Sequence, residues 1–238
     1  MNKEQERYLY FHNYYINKGI NVATSIAVLD YLTTHKEDYE NISKIAPAFV
    51  HAVIKNFWAR AVIDLSEFYY QSGDLSFTKF LCYIKSNWNL IYTDDFDVRK
   101  LKSVKGTVKR DKITKDKVFA IIDNCENLIN TNEDKLQRLK FFRDNVFAHF
   151  GDESKQKETV TISIDLLKYI LLLTEQIIID FEILHTAVGT VLTPINATDI
   201  SQICNAVSKW MEYRKQIIAF DRQKREAELY GKDERQRH

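Results

Sequence analysis

Between Phe141 and Asp152 the chain reads FFRDNVFAHFGD, which places Arg143, Asp144 and His149 within seven consecutive residues. Arginine offers N–H donors in a planar fork that matches the oxygens of a phosphate. Histidine exchanges a proton close to neutral pH. Gathered around one phosphate, such groups can hold it, stabilise charge building on its oxygens and move a proton beside it.

Other ways of doing chemistry find no footing. The sequence has no Gly-rich phosphate loop, no His-Glu-x-x-His and no Gly-x-Ser-x-Gly. His, Cys and carboxylates do not cluster at metal-ligand spacing, so neither a metal nor a cofactor is expected. Spacing alone does not make a site of Arg143 and His149, however. Six residues of ideal helix turn by about 600° and rise about 9 Å, which leaves the two side chains roughly 120° apart around the axis. They reach a common phosphate only if the helix distorts near Ala148 or if a second copy of the segment completes the site. The alternative is a structural helix end, where an imidazole suits the C-terminal dipole and Arg143 pairs with Asp144 or another acid. The chain also holds a second pair at similar spacing, Arg7 and His12 around YLYF. There the arginine is followed by Tyr8 rather than an acid, and the expected role is structural.

The elements that must position these residues are helical. Six glycines and two prolines punctuate 238 residues, and the long intervals between them carry helical rather than alternating periodicity. The expectation is one all-α domain over residues 1–238. A first helical region runs from about Lys3 to His35, with a possible break near Gly19. A second starts after Asn41 and Ser43, runs through Pro47 and ends near Gly73, burying Phe49, Val53, Phe57, Ala61, Leu65 and Phe68 beside a polar stripe in which Arg60 and Asp64 form an i,i+4 ion pair. A shorter helix from about Phe77 to Trp88 is capped by Ser76. Helix resumes from about Lys115 to Ile129, and TNED, Thr131 to Asp134, is a capping signal for the helix that carries Arg143. The apolar stretch Ile164 to Leu184 has the length of a membrane span, but Asp165, Lys168, Glu175, Asp180 and Glu182 interrupt it, so it reads as a helix buried in a bundle. Residues 197–230 read as a last helix, followed by a polar tail. The aromatic run YLYFHNYY is dense enough for an interface, although core packing is its first expected use.

Lys plus Arg number 34 against 33 Asp plus Glu, so the molecule as a whole lacks the basic excess of a nucleic-acid binder. One local exception is RKLKSVKGTVKRDKITKDK, Arg99 to Lys117, with nine Lys or Arg against Asp111 and Asp116. Three cysteines, Cys82, Cys125 and Cys204, are widely spaced, and charges occupy the N-terminus where a signal peptide needs an apolar run. A cytoplasmic setting without membrane contact is expected.

The phrase RLKFFRDNVFAHFGD resembles the HEPN superfamily, whose ribonucleases carry an arginine, often a polar residue after it, and a histidine after four to six intervening positions. The local wording is most similar to HEPN proteins of the abortive-infection, phage-defence type. This resemblance covers about fifteen residues. It implies a HEPN-like antiparallel helical bundle over about 43–190, with helical extensions 1–42 and 191–238. It also implies metal-independent cleavage of RNA by attack of the ribose 2′-OH, leaving a 2′,3′-cyclic phosphate. His149 would serve as general base or acid, Arg143 would hold the scissile phosphate, Asp144 would orient either group, and Asn145 would hydrogen-bond substrate. Apart from the resemblance, the charge of the basic run offers Lys105, Lys109 and Arg110 as contacts to RNA phosphates, the alternative being a solvated loop. The implied assembly is a homodimer with a composite site, in phage defence or beside an antitoxin protein. The alternative is a non-catalytic bundle of the same kind that binds a nucleotide, RNA or protein partner.

Overall fold

The computed structural model describes residues 1–45, 47–70, 73–96, 113–144, 162–184 and 190–194, together with 199, 202–206, 209, 212–213 and 215–220. Among the described residues there is no strand, and the protein is an all-α helical bundle. Its helices are α1 (Lys3–Thr34), α2 (Lys36–Ile45), α3 (Pro47–Tyr69), α4 (Phe77–Ile91), α5 (Lys115–Thr131), α6 (Glu133–Phe142) and α7 (Ile164–Ile183). None of them is long and apolar enough to cross a membrane.

The chain gathers into two compact units, one of Met1–Asp30 with Ile54–Ile195, the other of Tyr31–Val53 with Asn196–His238. In the first unit the aromatic run of α1 enters the core. Tyr8, Phe11 and Tyr15 recur at helical spacing on one face and are almost wholly buried. Phe11 packs on Phe80 of α4 with ring centroids 5.4 Å apart, Tyr15 on Phe77 at 4.7 Å, and Phe80 on Phe181 of α7 at 5.1 Å. From α3, Ala61, Leu65 and Phe68 complete the same core. Helix α7 contributes Leu167, Ile170, Ile177, Ile178 and Phe181. Its charged residues do not all face water, because Glu182 is buried.

Local signals explain most boundaries. The Ser76 hydroxyl accepts from the Lys79 N–H at the start of α4, and Thr114 and Ser163 do the same for α5 and α7. Arg60 and Asp64 lie 3.7 Å apart as the i,i+4 pair, and Asp64 also takes Lys18 at 3.2 Å.

Three expectations are corrected. Helix α1 runs unbroken through Gly19, whose bare Cα lies against Leu192; an added Cβ would sit 2.6 Å from its Cδ1. The glycine serves close packing and not a break. Residues 36–45 form a helix of their own, and Pro47 opens α3 instead of lying within it, because a first-turn position needs no N–H donor. Asn132, not Thr131, precedes α6, and its side chain makes no capping bond. It is committed elsewhere: Oδ1 accepts from Tyr169 at 2.7 Å and Lys135 at 3.2 Å, while Nδ2 donates to the Leu128 carbonyl at 2.9 Å.

Candidate phosphate-binding pocket

Regular α-helix ends at Phe142, and Arg143 and Asp144 form the beginning of a π-helical turn. Widened turns of this kind are frequent at functional sites. The backbone N–H of Arg143 still reaches the carbonyls of Leu139 and Lys140. Distortion therefore begins at Arg143 itself, upstream of Ala148, which lies outside the described residues.

The side chain of Arg143 is held on two sides. Its Nε donates to Asp144 Oδ1 at 2.7 Å, and Nη2 lies 2.6 Å from the same oxygen. Its guanidinium carbon stands 4.5 Å from the centre of the Tyr70 ring, a stacked cation–π arrangement. The arginine is 18% exposed and its aspartate 46%. Both Asp144 contacts use one oxygen and leave Nη1 outside the ion pair, so part of the fork stays available to an incoming anion.

Tyr70 is placed by its neighbours. Tyr69 ends α3 with its hydroxyl 2.9 Å from Thr174 Oγ1 on α7. Thr174 donates its own proton to the Ile170 carbonyl, so Tyr69 is the donor. Burial pushes the Tyr69 phenol above its ordinary range, which keeps that donor protonated. Just beyond, the Gly73 N–H donates to the Tyr70 carbonyl at 2.9 Å and closes a turn.

Between the end of α3 and α6 lies an open cavity of about 290 Å³. Arg143, Lys140 and Gln137 supply polar groups, Tyr70 an aromatic wall, and Leu136 and Leu139 an apolar floor. Lys140 and Arg143 are three positions apart on one helix face, so two cations border one concavity. The volume suits a single phosphate or nucleobase better than a large cofactor. No group of three or more His, Cys, Asp or Glu among the described residues is arranged to hold a metal ion.

Of the expected site residues, Arg143 and Asp144 are brought together in this pocket. His149, Asn145, Lys105, Lys109 and Arg110 lie outside the described residues. Sequence reasoning missed Tyr70, Gln137 and Lys140. Extending the motif one turn upstream would have found Lys140; nothing local announces Tyr70.

The second arginine–histidine pair comes apart. Arg7 lies over the Tyr83 ring at 5.0 Å, whereas His12 turns into the core, where Nε2 meets Glu182 Oε1 at 2.9 Å with both side chains at most 3% exposed. Glu182 also accepts from the Thr190 hydroxyl at 2.7 Å and from the Thr190 backbone N–H. His12 thus has a structural role. No family model, curated protein or solved structure matches this chain.

Proposed function

We propose that the protein is a metal-independent endoribonuclease of the HEPN kind, acting in phage defence or opposite an antitoxin. Arg143 holds the scissile phosphate, and His149 moves the proton between the ribose 2′-OH and the leaving 5′-oxygen. The observation that carries this reading is the setting of Arg143. An arginine at a π-turn, oriented by its neighbouring aspartate and backed by an aromatic ring, borders a cavity of the size of a phosphate or nucleobase, with a second cation beside it. Such a guanidinium is preorganised, so little rotamer freedom is lost when phosphate arrives. Because the six-residue spacing leaves Arg143 and His149 on different faces of a straight helix, the proposal includes a homodimer whose two motif segments complete one site.

The test is cleavage of single-stranded and structured RNA in excess chelator. Wild type is expected to leave 2′,3′-cyclic phosphate ends, with Arg143→Ala and His149→Ala each reducing the rate at least a hundredfold. His35→Ala, an exposed histidine remote in sequence from the motif, is the control. His12→Ala does not serve as one, because His12 is part of the core. Cleavage that requires a divalent ion, or that ignores His149, overturns the reading.

One observation favours a second reading, in which the pocket binds a nucleotide or RNA without cutting it. Asp144 already neutralises Arg143 at 2.6 Å. Nucleotide binding lost in Arg143→Ala but retained in His149→Ala, with no cleavage by any form, would select it.

A further inference from the structure

The ion pair that orients Arg143 also decides which edge of its guanidinium a ligand can use. Nε and Nη2 form one side of the fork, and both meet a single oxygen of Asp144, at 2.7 and 2.6 Å. That side is closed while the pair stands. The other side, Nη1 with the second N–H of Nη2, has no partner among the described residues and offers two parallel donors. Lys140 lines the same cavity and has no ion-pair partner among the described residues. It and Arg143 are the charged groups among the described lining residues. Two cations thus face the cavity, with one carboxylate fixed beside them.

We infer that Asp144 makes this pocket select a phosphodiester over a phosphate monoester, a deepening that rests on the reading of Arg143 as the phosphate-holding group. A diester has two non-bridging oxygens and one negative charge. A monoester above neutral pH has three such oxygens and close to two charges. The open edge of Arg143 and the ammonium of Lys140 serve two oxygens between them, and a third finds no cationic donor among the described residues. A phosphate oxygen bound at Nη2 stands roughly 5 Å from Asp144 Oδ1, where like charges repel. Attraction to the pocket grows in proportion to the ligand's charge, so this carboxylate costs a dianion twice what it costs a monoanion. Stripping water from a charge costs in proportion to its square, so the dianion also loses roughly four times as much there. Selectivity comes from the repulsive element built beside the attractive one. Asp144 acts through Arg143 and touches no ligand. The site accepts internucleotide linkages and 2′,3′-cyclic phosphates and turns away RNA ends that carry a terminal phosphate.

Two ligands built on one nucleoside test it: the 2′,3′-cyclic monophosphate, a diester, and the 3′-monophosphate, a monoester. Binding is measured by calorimetry at pH 8 on the full chain carrying His149→Ala, which removes turnover and the imidazole. In this background the cyclic form is expected to bind tighter. Adding Asp144→Asn keeps the shape and removes the charge, and is expected to tighten the monophosphate at least about tenfold relative to the cyclic form. Adding Arg143→Ala instead is expected to weaken the cyclic form at least about tenfold. Asp144 is 46% exposed, so the fold stays, and an unchanged circular dichroism spectrum confirms this. An Asp144 that only props up its neighbour predicts equal losses for both ligands in Asp144→Asn. That result overturns the inference, as does a monophosphate that binds as tightly as the cyclic form before the substitution; either leaves the ribonuclease reading standing. Cyclic-phosphate binding that is absent at millimolar concentration, or indifferent to Arg143→Ala, overturns the inference together with the role of Arg143 on which it rests. RNA cleavage by the chain with His149 intact reports separately on catalysis.

Discussion

Replacing Glu182 by alanine strips the acceptor from three donors at once: His12 Nε2, the Thr190 hydroxyl and the Thr190 backbone N–H. The three do not suffer equally. Thr190 is only partly buried, so water can replace the carboxylate there. His12 is 3% exposed, and its Nδ1 has no hydrogen-bond partner among the described residues, so its ring would keep its stacking on Tyr8 but lose its hydrogen bond in the core. Leaving a buried donor unsatisfied in this way costs about 1–3 kcal/mol, which for a chain of this size lowers Tm by roughly 2–12 °C. Glu182→Gln keeps the shape and one acceptor oxygen and should lose less than half as much. The assay is urea unfolding of wild type, His12→Ala, Glu182→Ala and the double variant, read as a cycle. Coupling of at least ~1 kcal/mol between the two positions is expected. Additive single losses, or a Glu182→Ala loss below ~1 kcal/mol, would refute the claim that this pair ties α1 to α7.

Gly19→Ala forces a Cβ against the Leu192 methyls; overpacking of ~1–3 kcal/mol outweighs the ~1 kcal/mol gained in helix propensity, so unfolding at lower urea is expected, and the sign should reverse in a Leu192→Ala background. Alkaline pH should also weaken the fold. Burial, and then the Asp180 carboxylate, push the Cys125 thiol up to about 12, and burial raises the phenols of Tyr8 and Tyr69. The folded state thus holds these protons more tightly than the unfolded chain, and the stabilisation is complete below about pH 9 and lost as pH climbs towards 12. Urea midpoints flat from pH 7 to 8.5 and falling above pH 9 would agree; a midpoint that rises there would not.

The helices were legible because their signals are local. Few breakers, apolar residues at helical spacing and the hydroxyl of Ser76 all act within a turn or two of the residues they order. Failures came where a distant group decided a local outcome. Leu192 makes Gly19 a packing residue, and Tyr169 draws the Asn132 side chain away from capping α6. The site divides the same way. The Arg143–Asp144 pair follows from adjacency in the sequence, whereas the ring of Tyr70 over Arg143 depends on how the end of α3 meets α6. His12 and Glu182 stand 170 positions apart, beyond the reach of any periodicity argument.

That separation also sets a timetable. A ribosome adding 5–20 residues per second takes roughly 10–30 s to travel from His12 to Glu182. Throughout that interval Tyr8, Phe11 and Tyr15 have been made, but Phe181 and the carboxylate that complete their surroundings have not. Helix α1, with six aromatic residues, thus leaves the exit tunnel well before the helix that encloses it. Nascent chains should draw on chaperones most heavily before α7 emerges, and a chain truncated ahead of Ile164 should be insoluble.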